Sequence, residues 1–270
     1  MYIRDRNRGV EITLSGEIIR QKDFSWNASL LYAFNRNKVK HISVQPSLWD
    51  SRISMPTSYP MVGKPLYGIY AYKWAGLNEN GDPQVYDAEN NVTSGPARDY
   101  HALVYCGTTV PIHNASLTNV LRYKGFEFSA MLILDAGHKL RSSNIPSINM
   151  SNGRITSTAK GIVDRWTQPG DVTDVPRLLF SNDTENFNTH RTELYRYSDL
   201  FVYDASNIRL SNISLAYRVP AHWCKKISLS GARLQFNVEN VATFAFDSKA
   251  NYDLGGKVKP NYVWGLYLNF

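Results

Sequence analysis

Few side chains in this sequence stand at the spacings that metal or nucleophile chemistry requires. The six histidines are scattered and none has metal-ligand spacing: His41, His101, His113, His138, His190 and His222. Cys106 and Cys224 lie far apart, with no CxxC pair. They could form one disulfide, or both could be incidental. The sequence therefore predicts no metal site and no cofactor.

Two short motifs resemble ligand-binding loops but depart from them in detail. In Asn78-Glu-Asn-Gly-Asp82 the first position is Asn, and Pro83 stands where a calcium loop needs Gly, so we interpret the segment as a type I′ hairpin turn at Asn80-Gly81. Gly63-Lys64-Pro65 lacks the glycine spacing of a phosphate loop. No Ser/His/Asp arrangement has a local signature such as Gly-x-Ser-x-Gly. We therefore predict that the protein is not an enzyme.

Aromatic stacking is the binding chemistry that the sequence offers. Six aromatic side chains fall in the first long predicted loop: Trp49, Tyr59, Tyr67, Tyr70, Tyr72 and Trp74. Aromatic faces stack on sugar rings or peptides, so these residues are candidate ligand or lid contacts; the alternative is that they pack the loop on itself. Asp171, Asp174 and Arg177, in a later loop, are as compatible with loop structure as with binding.

Composition limits the classes of protein that remain. The chain has 270 residues and a mean hydropathy of −0.35, and it has no apolar run of the roughly twenty residues that a transmembrane helix needs. The charged start, Met1–Arg8, precedes no apolar segment, so the protein is either cytosolic or lacks its true N-terminus here. The 17 tyrosines favour the second alternative, a missing N-terminus, since aromatic girdles are typical of membrane barrels. The net charge of +7 is scattered, so we predict no nucleic-acid partner.

Alternation with period two predicts about seven strands, which would position any binding residues. They are Gly9–Arg20, Phe24–Asn35, Ile112–Tyr123, Phe126–His138, Ser206–Val219, Ala232–Phe244 and Asn261–Phe270. Ile208 and Leu210 fall out of phase with Ile213, which predicts a β-bulge near Ser211-Asn212. Lys124-Gly125 predicts a two-residue hairpin turn.

The connections between these strands are alternately short and long. The short ones are Gln21–Asp23, Lys124-Gly125 and Pro220–Gly231; the long ones are about residues 36–111, 139–205 and 245–260. Outer-membrane barrels have short periplasmic turns and long extracellular loops, so the pattern predicts an antiparallel transmembrane β-barrel segment. An odd strand number predicts that this is a piece of a larger barrel.

The barrel hypothesis assigns one set of side chains to lipid. They are Trp26, Leu30, Phe128, Leu132, Phe236, Trp264 and Leu268. The alternative hypothesis is a soluble carbohydrate-binding β-sandwich, which would bury these side chains between two sheets.

Several blocks, in order and over nearly the whole chain, resemble one family. They are Asn7–Leu14 with Lys22–Asn27 and Asn35–Val39, Gly68–Leu77 followed by Asn80–Pro83, Arg122–Phe128 with Gly137–Lys139, Arg165–Asp171, Ala205–Tyr217 and the aromatic end at Phe270. Together they resemble the C-terminal part of SusC/RagA-type TonB-dependent transporters.

The resemblance implies that residues 1–270 are the C-terminal part of a barrel of about 22 strands, roughly strands 16 to 22. The signal peptide, plug and TonB box of the family are absent from this sequence, and Met1 would be an internal methionine. It implies an importer of oligosaccharides or peptides in the outer membrane of Bacteroidota. Its implied partners are outer-membrane lipid, a SusD-like lipoprotein, and TonB acting through the absent N-terminal parts.

The end of the chain also resembles a signal of this class. The barrel-assembly machinery reads an aromatic terminal strand, and the matching residues here are Trp264, Leu266, Leu268 and Phe270. The resemblance therefore implies that this machinery is a further partner.

Overall fold

A computed structural model describes residues 2–43, 51–95, 99–151, 154–155, 160–180, 189–255 and 259–270. Trp49 lies outside these residues. The strands are β1 (Ile3–Arg20), β2 (Phe24–Ile42), β3 (Gly68–Tyr72), β4 (Trp74–Leu77), β5 (Pro83–Tyr86), β6 (Val92–Thr93), β7 (Leu103–Thr108), β8 (His113–Tyr123), β9 (Phe126–Ala136), β10 (Lys139–Arg141), β11 (Asn149–Ser151), β12 (Arg154–Ile155), β13 (Leu179–Phe180), β14 (Val202–Asp204), β15 (Asn207–Arg218), β16 (Gly231–Ala245) and β17 (Asn261–Asn269). The α-helices are α1 (Ser51–Ser54), α2 (Thr189–Arg196), α3 (Ala221–Lys225) and α4 (Asn251–Leu254). Short 3-10 helices cover Tyr100–Ala102, Lys160–Asp164, Asp199–Phe201 and Ser248–Ala250. None of the helices in this described part is long and apolar enough to cross a membrane.

One sheet of seven strands contains every strand that the alternation predicts. Its order is β1-β2-β8-β9-β15-β16-β17. Each neighbouring pair from β2 to β17 is antiparallel. The first two strands are longer than predicted, because β1 begins at Ile3 and β2 continues to Ile42. The extra residues carry charges, so hydropathy alone did not include them.

The short turns meet at one end of this sheet, as their lengths predict. Lys124 and Gly125 have φ of 45° and 91°, the two positive values of a type I′ turn. The N–H of Lys124 donates to the carbonyl oxygen of Asp23 at 3.2 Å, and the N–H of Arg218 donates to that of Gly125 at 2.9 Å. The third connection is longer and contains α3. The chain therefore leaves the sheet for each long insertion from the opposite strand ends.

The predicted β-bulge is confirmed in β15. The register shifts between Leu210 and Asn212 against both neighbouring strands, and Ser211 has no partner in either ladder. An unpaired residue reverses the alternation that follows it. As a result, Leu210 and Ile213 point to the same face although their positions differ in parity.

The chain divides into two compact units. We call residues 8–36, 111–138 and 204–270 the sheet unit, and residues 1–7, 37–110 and 139–203 the loop unit. The long insertions, which the sequence predicted only as loops, form small sheets of their own: β3 with β7, β4 with β5 and β6, and β11 with β12 and β13. A core that includes Tyr70, Tyr72, Val85 and Leu194 holds the loop unit together.

The hairpin at Asn78–Asp82 is a turn, but not of the predicted type. Gly81 has a positive φ of 74°, whereas Asn80 is not among the described residues with positive φ. That combination fits a type I turn followed by a glycine bulge. The side-chain oxygen of Asn78 accepts the N–H groups of Asn80 and Asp82 at 3.0 and 2.9 Å, which stabilises the turn without any ion.

Candidate functional site

The sheet unit presents one continuous apolar face. Residues paired across antiparallel strands point to the same side of a sheet. The pairing joins Trp26, Leu121, Phe128, Leu215, Phe236 and Trp264 in one row across six strands. The rings of Phe236 and Trp264 lie 4.3 Å apart between centroids. Four of the side chains assigned to lipid from the sequence therefore stand side by side.

The other three side chains of that assignment lie on the same face. A second row joins Leu30, Leu117, Leu132, Leu210 and Ala242. Leu268 pairs with Ala232, in phase with Tyr262 and Trp264 of β17. The row nearest the turns joins Phe24, Tyr123, Phe126, Tyr217, Leu234 and Leu266. Aromatic rings thus concentrate toward the turn end of the face, with leucines nearer its middle.

This apolar face is exposed, which a sandwich would not allow. Trp264 keeps 77% of its surface exposed, Leu234 51% and Phe126 50%. The β-sandwich hypothesis requires such side chains to be buried against a second sheet. The sheet unit, in the part of it that the structure describes, contributes strands to a single sheet. The sandwich hypothesis is therefore wrong for these residues.

The opposite face of the same sheet is polar. One row there joins Ser29, Thr118, Met131, Asn212, Glu239 and Asn261. Toward the far end of the strands, Asp135 accepts hydrogen bonds from Asn114 at 2.7 Å and from Arg209 at 2.8 Å. Side chains of this kind suit water and not hydrocarbon. The two faces of the sheet therefore differ in polarity.

The loop-unit aromatics divide into buried and accessible residues. Tyr70 and Tyr72 keep 1% and 0% of their surface exposed, so they pack the core and cannot touch a ligand at the surface. The Tyr70 hydroxyl accepts the N–H of Met61 at 2.9 Å, and burial raises the pKa of this tyrosine. These two residues are therefore part of the core of the loop unit.

Three aromatics of the candidate set remain accessible in part. Tyr67 is 49% exposed, while Tyr59 and Trp74 are half-buried. The indole N–H of Trp74 donates to Oδ1 of Asp174 at 3.0 Å. Asp174 therefore has a structural partner, and Tyr67 is the most exposed of the described candidates.

A buried ion cluster joins three distant parts of the loop unit. Arg177 donates to both oxygens of Asp82, at 3.1 and 2.8 Å, and Nε of Arg191 donates to Oδ1 of Asp82 at 3.1 Å. Arg191 is 2% exposed, and its other N–H groups donate to carbonyl oxygens of Ile148 and Arg177. Burial lowers the pKa of Arg191, against the opposing effect of Asp82. This is loop structure, which the sequence left open for Arg177.

Sequence reasoning missed the other two members of this cluster. Asp82 lies 95 residues from Arg177 and 109 from Arg191, so no local motif connects them. Asp171, by contrast, acts within its own turn. It accepts from the N–H and hydroxyl of Thr167 and from the N–H of Gln168, and these hydrogen bonds lower its pKa.

Both cysteines are free, so the disulfide alternative is wrong. Burial raises the pKa of the Cys106 thiol to about 11, which keeps it protonated near neutral pH. Within the described ranges, no group of three or more His, Cys, Asp or Glu side chains could hold a metal ion.

Comparison with known proteins finds similarity to TonB-dependent receptors. No family model matches the chain. Two proteins of Formosa agariphila, named TonB-dependent receptors P3 and P26, are each 25% identical to it, over 96% and 84% of this chain. The matches cover 27% and 23% of those relatives, so the chain spans about a quarter of their length. The predicted resemblance to TonB-dependent receptors is therefore confirmed.

Solved structures agree on the fold. A structure described as the RagAB peptide transporter matches 98% of this chain with a TM-score of 0.73 and 20% identity. A second, the RagAB peptide importer in its open-open state, matches 99% with a TM-score of 0.69. The matches cover 29% of each of those chains. The chain therefore has the fold of the corresponding part of these transporters.

Proposed function

We propose that this chain is a section of the wall of a TonB-dependent outer-membrane transporter. The apolar face of the sheet unit would meet lipid, and the polar face would line the interior. The observation that carries this proposal is the exposed face built from rows of paired apolar side chains on every strand from β2 to β17. In water such a face would aggregate, whereas hydrocarbon solvates it.

The remaining parts of the proposal follow the family resemblance. The seven strands would be about strands 16 to 22 of a barrel of about 22, with the long insertions on the extracellular side. The transporter would import oligosaccharides or peptides together with a SusD-like lipoprotein, and TonB would drive it through segments other than this one. The matched solved structures are named for peptide transport, which supports the peptide class.

Two neighbouring residues on opposite faces of β9 provide the test. Leu132 lies in the apolar row opposite Leu117 and Leu210, whereas Met131 lies on the polar face opposite Thr118 and Asn212. We expect Leu132→Arg to destabilise the inserted transporter by about 2–4 kcal/mol, because the charge would face hydrocarbon. Met131→Arg is the matched control and should leave the stability nearly unchanged.

The measurement is urea unfolding of the complete transporter in lipid vesicles, combined with its amount in the outer membrane. Equal effects of the two substitutions would contradict the assignment of faces. A larger effect of Met131→Arg would reverse it.

A further inference from the structure

Three guanidinium groups gather on the polar face at the turn end of the sheet. Nε of Arg122 donates to Glu127 at 2.8 Å, and Nη2 of Arg233 donates to the other oxygen of the same carboxylate at 3.0 Å. Arg218 lies directly opposite Arg233 in the ladder between β15 and β16. Two arginines therefore share one carboxylate beside a third arginine.

This arrangement leaves positive charge uncompensated. Arg218 is exposed, and among the described residues no carboxylate pairs with its side chain. Like charges directly opposite each other in a ladder are destabilising. A cavity of about 300 Å³ at this place is lined by five cationic side chains and two acidic ones: Lys22, Arg122, Lys124, Arg218 and Arg233, with Asp23 and Glu127.

A second cavity of about 650 Å³ adjoins the first, since Arg218 and Arg233 line both. It adds the side chain of Tyr267, which pairs with Arg233 across β16 and β17. Guanidinium groups bind carboxylates in a bidentate fashion, and a neighbouring tyrosine hydroxyl can add a hydrogen bond. The two adjoining cavities thus have room for a ligand that carries more than one carboxylate.

We infer that this cluster docks an acidic polypeptide segment that carries at least two carboxylates and lies against the polar face at the turn end. The inference rests on the proposed function, in which the polar face borders the interior. Lipid head groups meet the opposite face there, so a polypeptide is the source of carboxylates that can reach Arg218 and Arg233. Charge complementarity selects the segment: a net positive wall requires a net negative partner.

Site-specific photo-crosslinking in the complete transporter tests this inference. Gln235 lies on the polar face, opposite Ala216 and Gly265, and is replaced by benzoylphenylalanine. Phe236 is the matched control, since it is the next residue and lies on the apolar face. We expect the position of Gln235 to give an adduct with a polypeptide segment that contains two or more Asp or Glu residues, identified by mass spectrometry.

The charge dependence of this adduct decides the role of the arginines. The pair Arg218→Gln and Arg233→Gln should lower the yield about tenfold, whereas the pair Arg218→Lys and Arg233→Lys should keep it within about twofold. Heat-modifiable migration of each variant shows that it is folded. An adduct with phospholipid only, no adduct, a segment without acidic residues, or an unchanged yield in the glutamine pair overturns the inference.

The control at position 236 distinguishes a failure of the docking inference from a failure of the proposed function. If benzoylphenylalanine at position 236 reacts with lipid, the assignment of faces holds whatever position 235 shows. If position 236 reacts with the same acidic segment, the assignment of faces is wrong and the proposed function fails with it.

Discussion

The indole N–H of Trp26 donates a hydrogen bond to Oδ1 of Asn119 at 3.0 Å, across the β2–β8 pair. Both side chains lie on the apolar face, where Asn119 is a polar residue among leucines and aromatic rings. Hydrocarbon offers no partner to either group, so the bond satisfies two polar atoms that would otherwise be costly to place in lipid. One polar residue is thereby accommodated on the apolar face of the sheet.

Removing one member of this pair should cost more than removing both. Asn119→Ala leaves the Trp26 N–H unpaired, so we expect the free energy of unfolding in lipid to fall by about 1–3 kcal/mol. The double variant Trp26→Phe and Asn119→Leu removes both polar groups and should recover part of that loss. A double-mutant cycle built from Trp26→Phe, Asn119→Leu and the double variant measures the coupling energy between the two side chains. A coupling energy of zero would contradict the role of the bond.

The buried cluster around Asp82 should stabilise the loop unit. Asp82→Asn leaves two arginines near an uncharged amide, and the side chain of Arg191 is only 3% exposed. Breaking a buried ion pair by neutralising one partner costs about 3–5 kcal/mol, and we expect the lower end because the Asp82 side chain is 22% exposed. Limited proteolysis of the intact transporter should then cut the loop unit faster.

Glu79→Gln is the matched control for Asp82→Asn. Glu79 lies in the same hairpin and is exposed, so its neutralisation should leave the rate of proteolysis unchanged. Equal rates for wild type and Asp82→Asn would show that the cluster does not hold the three segments together.

His138 should make the strand ends of the sheet unit sensitive to acid. It keeps 9% of its surface exposed, its Nδ1 has no hydrogen-bond partner within the described part of the chain, and burial lowers its pKa. Asp135 and Asp204 oppose this shift. Because the folded state binds the proton less well than the unfolded state, the stability is full above the ordinary value of 6.5 and falls as the pH drops below it.

Hydrogen exchange of residues 136–140 and 204–207 measures this effect at pH 5 and pH 7.5. We expect faster local opening at pH 5 in the wild type, after correction for the intrinsic exchange rate. His138→Gln should remove the difference, and His101→Gln, at an exposed histidine, should retain it. A pH effect that survives His138→Gln would assign it to another group.

The terminal aromatic should matter for assembly more than for packing. Phe270 is 92% exposed, so Phe270→Ala removes few contacts within the chain. If the terminal strand acts as a signal for the barrel-assembly machinery, this substitution lowers the amount of transporter in the outer membrane several-fold. Phe246→Ala, at a residue that is 62% exposed, is the control and should change the amount little.

The regular alternation of the sheet was predictable because one face carries apolar side chains and the other carries polar ones. Period two placed the seven strands, and the break in phase between Leu210 and Ile213 located the bulge. The ends of β1 and β2 were not predictable in this way, since residues 3–8 and 36–42 are held by pairing and not by hydropathy.

The structure of the loop unit could not be predicted from local sequence patterns. Its ion cluster joins Asp82, Arg177 and Arg191 over separations of 95 and 109 residues, and a single sequence carries no signal of such contacts. The burial of Tyr70 and Tyr72 was equally hidden, because an aromatic residue that binds a ligand and one that fills a core have the same identity. The Trp26–Asn119 bond needs the register of two strands, which the hairpin turns alone do not fix.

The extra residue at Ser211 has a consequence for how such strands change over evolution. Deleting one residue elsewhere in β15 would move every side chain between the deletion and one end of the strand to the opposite face of the sheet. Deleting Ser211 itself would instead leave one regular alternation along β15, in which Leu210 and Ile213, then two positions apart, both stay on the apolar face. Gains and losses of single residues in related strands should therefore cluster at this position, where they leave the polar and apolar side chains of both flanking segments on their faces.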